Sequence, residues 1–238
     1  QTFVIDDYDR KPAFSSFLPG LAGVKGIPLW TFYTNRGQGM NSFGIDNKGN
    51  AIMEFNSANT AFENTQVKGF RTFLKIDGEY YEPFFTYEKE AKRQMRMNKN
   101  SFKIIETNEK YGIEVTVNYY VLPNESIGAL VRQVSVKNIG DSAKEVQVID
   151  GLPKIITYGI ANGEFKEMSN LFKSWADIRN LENKVPYYTL RASTKDSAEV
   201  SDVEGGYYYL TVRDGKLQDV IYDVDTVFGY DLSLMTPV

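Results

Sequence analysis

Turn signals recur along this chain at short, regular intervals, and no helical pattern alternates with the runs between them. Asn41–Ile45 and Ala51–Phe55 flank Asp46-Asn47-Lys48-Gly49-Asn50, residues that tolerate positive φ. Phe70–Ile76 and Glu79–Phe84 flank Asp77-Gly78, a pair suited to a type I′ turn. Phe102–Thr107 and Gly112–Leu122 flank Asn108–Tyr111, Ile127–Asn138 and Lys144–Ile149 flank Ile139–Ser142, and Tyr207–Arg213 and Leu217–Tyr222 flank Asp214-Gly215-Lys216. The runs draw on 16 Tyr and 15 Phe together with Val, Ile and Thr, which suit pleated, half-buried surfaces. Successive hairpins without crossover helices predict an all-β fold, a large antiparallel sandwich, rather than a βαβ architecture.

Two strands show period-2 alternation. Apolar residues take every second position in Ile113–Tyr119, and Leu130–Lys137 follows the same rule after Val131, so one face of each is expected to be buried. One stretch has the helical period instead. Phe165, Met168, Leu171, Phe172, Trp175, Ile178 and Leu181 recur at spacings of three and four, which predicts one amphipathic helix over about 164–181 with its apolar stripe buried against the sandwich or against further domains. No internal repeat or flexible linker divides the 238 residues, so a single domain spanning 1–238 is expected.

Composition removes much catalytic chemistry. Without cysteine there are no disulfides, thiol nucleophiles or thiolate metal sites, and without histidine there is no Ser-His-Asp triad. A net charge of −4 argues against a nucleic-acid binder. No run of about 20 apolar residues is long enough to span a membrane, and the first residues carry neither the basic head nor the apolar core of a signal peptide. A cytoplasmic protein is expected.

The remaining constellations are weak in sequence terms. Asp6-Asp7, Glu54, Glu63, Glu82 and Asp150 are carboxylates of the kind that glycosidases use in pairs, with no spacing that sets any of them apart. Asp223-Val224-Asp225 begins like a calcium loop but lacks the rest of the ligand series, so no metal site is expected. Gly37-Gln38-Gly39 and Gly205-Gly206 match no phosphate-binding loop. Lys89–Lys99 carries five bases against one acid, reads as a charged edge strand, and is also capable of holding an anion. Trp30, Phe32, Tyr33, Tyr80, Tyr81, Phe84, Phe85, Tyr87 and Tyr207–Tyr209 are the aromatic candidates. Sugar rings stack on aromatic faces while their hydroxyls take planar polar partners, and Trp30–Ser42 mixes both kinds of group.

Phe14–Gly23, Gly26–Trp30, Asn35–Gly39, Ser42–Ile45, Met53–Asn59, Gly69–Phe73, Asp150–Pro153 and Lys166–Trp175 together resemble the N-terminal region of cellobiose-phosphorylase-like enzymes. The resemblance runs from about Phe3 to Tyr209. It implies a supersandwich of the galactose-mutarotase type, although sugar mutarotases use histidine for catalysis and this chain has none. It further implies a non-catalytic N-terminal piece of a glycoside phosphorylase. A helical linker and an (α/α)6 barrel would follow, carrying the catalytic Asp and the site for inorganic phosphate, the co-substrate of inverting phosphorolysis. No further cofactor is implied.

The partners so implied are the rest of the polypeptide, a β-linked oligosaccharide such as cellobiose, and a second copy in a homodimer. The catalytic residues would lie outside this chain. The residues expected to reach a substrate rim are Trp30, Asn35, Arg36, Gln38, Asn41, Asn56, Asn59 and Glu63. The rival readings are a stand-alone carbohydrate-binding module and a small two-carboxylate hydrolase.

Overall fold

A computed structural model of the chain describes all residues except 19, 23–25, 86–88, 169–170 and 196. Tyr87 of the aromatic candidates, Ser169-Asn170 of the expected helix, and Pro19 and Gly23 of the family-like words therefore lie outside the described residues.

In chain order the strands and helices begin with β1 (Phe3–Asp6), β2 (Ser15–Phe17), β3 (Leu21–Ala22), β4 (Ile27–Thr34), β5 (Met40–Ile45), β6 (Ala51–Met53) and α1 (Ala58–Lys68). β7 (Arg71–Ile76), β8 (Glu79–Tyr81), β9 (Lys92–Met97), β10 (Ser101–Asn108), β11 (Ile113–Val121), β12 (Leu130–Asn138) and β13 (Val146–Gly151) follow. The last third holds α2 (Asn162–Met168), α3 (Phe172–Trp175), β14 (Ala176–Arg179), β15 (Tyr187–Leu190), β16 (Tyr207–Tyr208), β17 (Val212–Arg213), β18 (Lys216–Leu217) and α4 (Val224–Phe228). The chain is mostly β with antiparallel sheets and few helices, the all-β, sandwich-like class that the turn pattern predicts. It forms two compact units, Gln1–Asp46 with Phe55–Pro153, and Asn47–Glu54 with Lys154–Val238.

In the first unit β1-β9-β10-β11-β12 form one sheet, β13-β7-β8 a second, and β2-β4-β5 run side by side in a third. Period-2 alternation decides which residues enter the core. Met95 of β9, Phe102 and Ile104 of β10, and Val115, Val117 and Tyr119 of β11 are buried, while Lys103, Thr116 and Asn118 between them are not. A chain of rings ties the sheets together. Tyr33 of β4 stacks on Phe102 at 4.4 Å, Phe102 on Tyr119 at 4.7 Å, and Phe70 meets Tyr119 at 5.9 Å. The close approach of this stack requires Gly39, whose φ is +85°, because a Cβ there would fall 2.7 Å from Phe102 Cε2.

The Asp77-Gly78 turn has φ values of 50° and 92°, as a type I′ turn needs, and sets the Ile76↔Glu79 register of β7 and β8. The β10–β11 hairpin also forms, from Ser101↔Tyr120 to Asn108↔Ile113. The expected hairpin of β12 with β13 does not. β12 pairs with β11 and β13 pairs with β7, so the connection passes from one sheet to another. No residue of Ile139–Ser142 adopts positive φ, and a tight primed turn requires it. Instead Asn138 Nδ2 donates to the Ser142 carbonyl at 2.6 Å, and Asp77 N donates to the Glu145 carbonyl at 2.9 Å.

Lys92–Met97 is not the expected edge strand, since it lies between β1 and β10. Its alternation turns Arg93 and Met95 inward, and β1 covers its other side through Phe3↔Met97 and Ile5↔Met95. α1 was not foreseen. It buries only Ala61 and Thr65, so its sequence carries almost no apolar stripe.

In the second unit the predicted helix is replaced by α2, α3 and the strand β14. Phe165 and Phe172 are buried edge-to-face at 5.0 Å, but Leu171 and Trp175 are 68% and 42% exposed. The backbone becomes extended at Ala176, and Ala176–Arg179 pairs with Tyr187–Leu190, so strand pairing overrides the local period. The Asp214-Gly215 turn forms with φ values of 51° and 74°, though its strands are only two residues each. Asp223 caps α4, its side chain accepting from Asp225 N at 3.0 Å.

Candidate functional site

The rim residues proposed from sequence separate into two groups. Asn35, Gln38 and Asn41 are buried. Asn35 Nδ2 donates to the carbonyls of Tyr8, Lys11 and Pro12 at 2.9, 3.3 and 3.0 Å, and its Oδ1 accepts from Phe14 N at 2.9 Å. One amide thereby satisfies the backbone of the segment before β2, where no sheet ladder is present to do so. Arg36 adds donations to the carbonyls of Asn35 and Lys11 at 2.8 and 3.2 Å, and the Tyr8 hydroxyl donates to the Gly37 carbonyl at 2.8 Å. Asn41 Nδ2 reaches Ser15 Oγ at 3.5 Å. The buried amides of Asn35, Gln38 and Asn41 are spent on the fold itself, while Arg36 remains half-exposed.

Trp30, Asn56, Asn59 and Glu63 are at least partly exposed. Trp30 lies 5.9 Å from both Phe32 and Phe55, and Phe32 lies 5.8 Å from Phe55, in tilted or edge-on geometry. All three rings are half-buried, and the chain runs directly from Phe55 through Asn56 into α1, which carries Asn59 and Glu63. This is the one part of the expected rim where aromatic surface and amide groups remain open together. Of the other aromatic candidates, Tyr33, Tyr81 and Phe84 are buried, Tyr80 stacks on Phe73 at 6.2 Å, and Tyr207 and Tyr208 pack on Tyr158 and Tyr187.

Gln38 belongs to a polar centre that sequence spacing did not reveal. Arg132 of β12 donates to Tyr119 Oη at 3.0 Å, to Thr72 Oγ1 at 3.2 Å, to Gln38 Oε1, and to Asp150 in an ion pair. Thr72 Oγ1 donates to Asp150 Oδ1 at 2.6 Å. Asp150 stood among the candidate carboxylates, but its partner lies on another sheet, 18 residues away. The guanidinium also sits 5.1 Å from the Phe70 ring centre.

Two further arginines are buried with acids. Arg71 binds Glu82 through two parallel hydrogen bonds of 2.7 and 2.9 Å. Arg93 binds Glu106 and Asp9, each at 2.6 Å. Glu106 also accepts from Tyr81 Oη and from Phe84 N. Burial pushes the carboxyls of Glu82 and Glu106 above the ordinary range, while their arginines pull them back down. Each of these two carboxylates is engaged in a structural ion pair. Among the described residues no three acids cluster to hold a metal ion, and no helix is long and apolar enough to cross a membrane.

Burial also raises the tyrosines. Tyr8, Tyr80 and Tyr81 shift upward, and Tyr119 is pushed up to about 12 from its ordinary 10.0. A raised phenol keeps its proton longer in the folded state, so stability falls as pH rises from the unfolded to the folded pKa. Tyr119 alone is expected to cost about 2 kcal/mol by pH 12. Chemical unfolding midpoints measured from neutral pH upward should hold until about pH 10 and then drop, and the share of phenolate absorbance that belongs to the buried tyrosines should appear only with unfolding. Phenolate absorbance appearing in full before any unfolding would contradict these burial sites.

No protein-family model matches the chain, and no curated protein matches it.

Proposed function

We propose that this chain is a non-catalytic β-sandwich domain of a carbohydrate-active glycoside phosphorylase, working with an (α/α)6 catalytic domain in inverting phosphorolysis of a β-glucoside such as cellobiose. The observation that carries the proposal is the half-exposed Trp30–Phe32–Phe55 cluster running into Asn56 and α1. It offers aromatic faces to the C–H surface of a sugar beside amides able to bond its hydroxyls. The sandwich-like fold and the resemblance of the family-like words support the same reading. The catalytic Asp and the phosphate ligands then belong to the barrel, and this surface contributes contacts at the rim.

The proposal expects a polypeptide several times heavier than this chain when an antibody raised against it is used on the source cells. That polypeptide should release a sugar 1-phosphate from β-glucosides only when inorganic phosphate is supplied. A product of the chain's own size, or phosphate-independent hydrolysis, would overturn it.

The same open aromatic cluster favours a second reading, a stand-alone carbohydrate-binding module. The two Trp residues make the distinction measurable, because a Trp175→Phe variant reports on Trp30 alone. Titrating that variant with cellobiose and longer β-gluco-oligosaccharides should leave its fluorescence unchanged to millimolar sugar if the barrel is required. A saturable change would instead favour the module.

A further inference from the structure

The basic run Lys89–Lys99 is divided by the fold into groups with different fates. Lys92 pairs with Glu109 at 2.6 Å, and Arg93 turns inward to Glu106 and Asp9. Arg96 turns to the opposite face of the same strand and is exposed. Directly across from it on β10 stands Lys103, in the register Lys103↔Arg96. Two cations facing each other across an antiparallel pair repel and destabilise the sheet. Among the described residues neither Arg96 nor Lys103 forms an ion pair, and the only side-chain bond of the Arg96 guanidinium runs from Nε to Gln94 Oε1.

The surroundings form a groove of about 510 Å³, lined by Thr2, Gln94, Arg96, Ser101, Lys103 and Asn118 among others, with no acid in its wall. Asp6 is two residue pairs further along, on the same face, and its carboxylate accepts from Gln94 Nε2 at 2.6 Å. Asn118 is opposite Lys103 on the next strand, so one row across the sheet carries a guanidinium, an ammonium and an amide on a single face. The chain as a whole is acidic, at −4, which makes a local cation pair that no acid binds directly more significant.

We infer that this groove binds a compact oxyanion of the phosphate class. Arg96 would supply its free guanidinium edge, Lys103 a point charge, and Asn118 the second N–H of an amide whose first donates to Gln133 Oε1 at 3.1 Å. A guanidinium edge matches two oxygens of a phosphate, and an ammonium neutralises the charge that remains. The anion also removes the cross-strand repulsion, so binding and sheet stability are coupled. The site rests on strand register and charge and is independent of the functional reading above.

The test is thermal unfolding of the intact chain with inorganic phosphate, against sodium chloride at matched ionic strength. One site at ten times its dissociation constant should raise Tm by about 3 °C in a chain of this size. Arg96→Gln and Lys103→Gln, both at partly or fully exposed positions, should fold, match or slightly exceed the parent's Tm in chloride, and lose the phosphate response. Amide chemical-shift changes during titration should centre on residues 96, 103 and 118. A hexose phosphate run in parallel identifies the source. Stronger binding than inorganic phosphate means that an ester is the ligand, and weaker binding means the free ion. No rise beyond the chloride control, or an equal rise in both variants, overturns the inference.

Discussion

Arg93→Met is expected to cost about 4 kcal/mol of folding stability, read from urea unfolding at constant slope. The side chains of Arg93 and Glu106 are 2% and 1% exposed and that of Asp9 is 10% exposed, so removing the guanidinium leaves two carboxylates in a dry environment with no opposing charge. Glu106 would keep its bonds from Tyr81 and Phe84 N, which are neutral donors and only partly offset the loss. The cost should also depend on pH. Burial raises the Glu106 carboxyl, and Arg93 is the main influence drawing it back. Without Arg93 the folded-state pKa rises further, and a raised carboxyl loses stability as pH climbs through and above its unfolded value. The gap between variant and parent should therefore narrow as pH falls toward the ordinary glutamate range. Adding Glu106→Gln to Arg93→Met should recover part of the loss by removing one uncompensated charge. A single-variant cost below about 1 kcal/mol would mean that water reaches these acids and that the pair is a surface feature.

This pair also marks where sequence reading stops. Arg93 lies in a run that reads as solvated charge, and only the pairing of β9 between two neighbours turns every second residue of it inward. Alternation within one strand was readable, as β11 shows, because its buried positions are all apolar or aromatic. On β9 the inward set includes an arginine, so the same period is hidden by its charge. Turns whose chemistry demands positive φ, such as Asp77-Gly78 and Asp214-Gly215, were readable for a local reason. The destination of β13 was not, since it depends on a neighbour in another part of the chain. The three-and-four spacing over 164–181 fits a helix equally well with a short helix followed by a strand, and only the Tyr187–Leu190 partner decides between them. Amides were the least informative residues. Asn35 and Asn56 look alike in sequence, yet one is buried beneath the first strands and the other borders an open aromatic surface.

Arg132→Leu should destabilise the chain by about 3 kcal/mol, less than Arg93→Met because Asp150 is 26% exposed and able to turn toward water. What is lost is mostly geometry. The guanidinium reaches Tyr119 in its own sheet, Thr72 and Asp150 in the sheet of β7 and β13, and Gln38 in the turn after β4. A leucine fills part of the volume but leaves the Gln38 and Asp150 oxygens short of donors. Arg132→Lys is expected to recover little, because one ammonium cannot address groups spread around a planar fork or lie flat against Phe70. The decisive quantity is the coupling between Arg132→Leu and Asp150→Leu in a double-mutant cycle. Removing both partners leaves no buried charge, so the double variant should lose less than the sum of the singles by about 1.5 kcal/mol or more. Additive losses would mean that Asp150 is held by Thr72 and solvent alone. The Tyr33–Phe102–Tyr119 stack would then carry more of the contact between the β4 and β10–β11 sheets, and a Phe102→Leu variant should become the more damaging substitution.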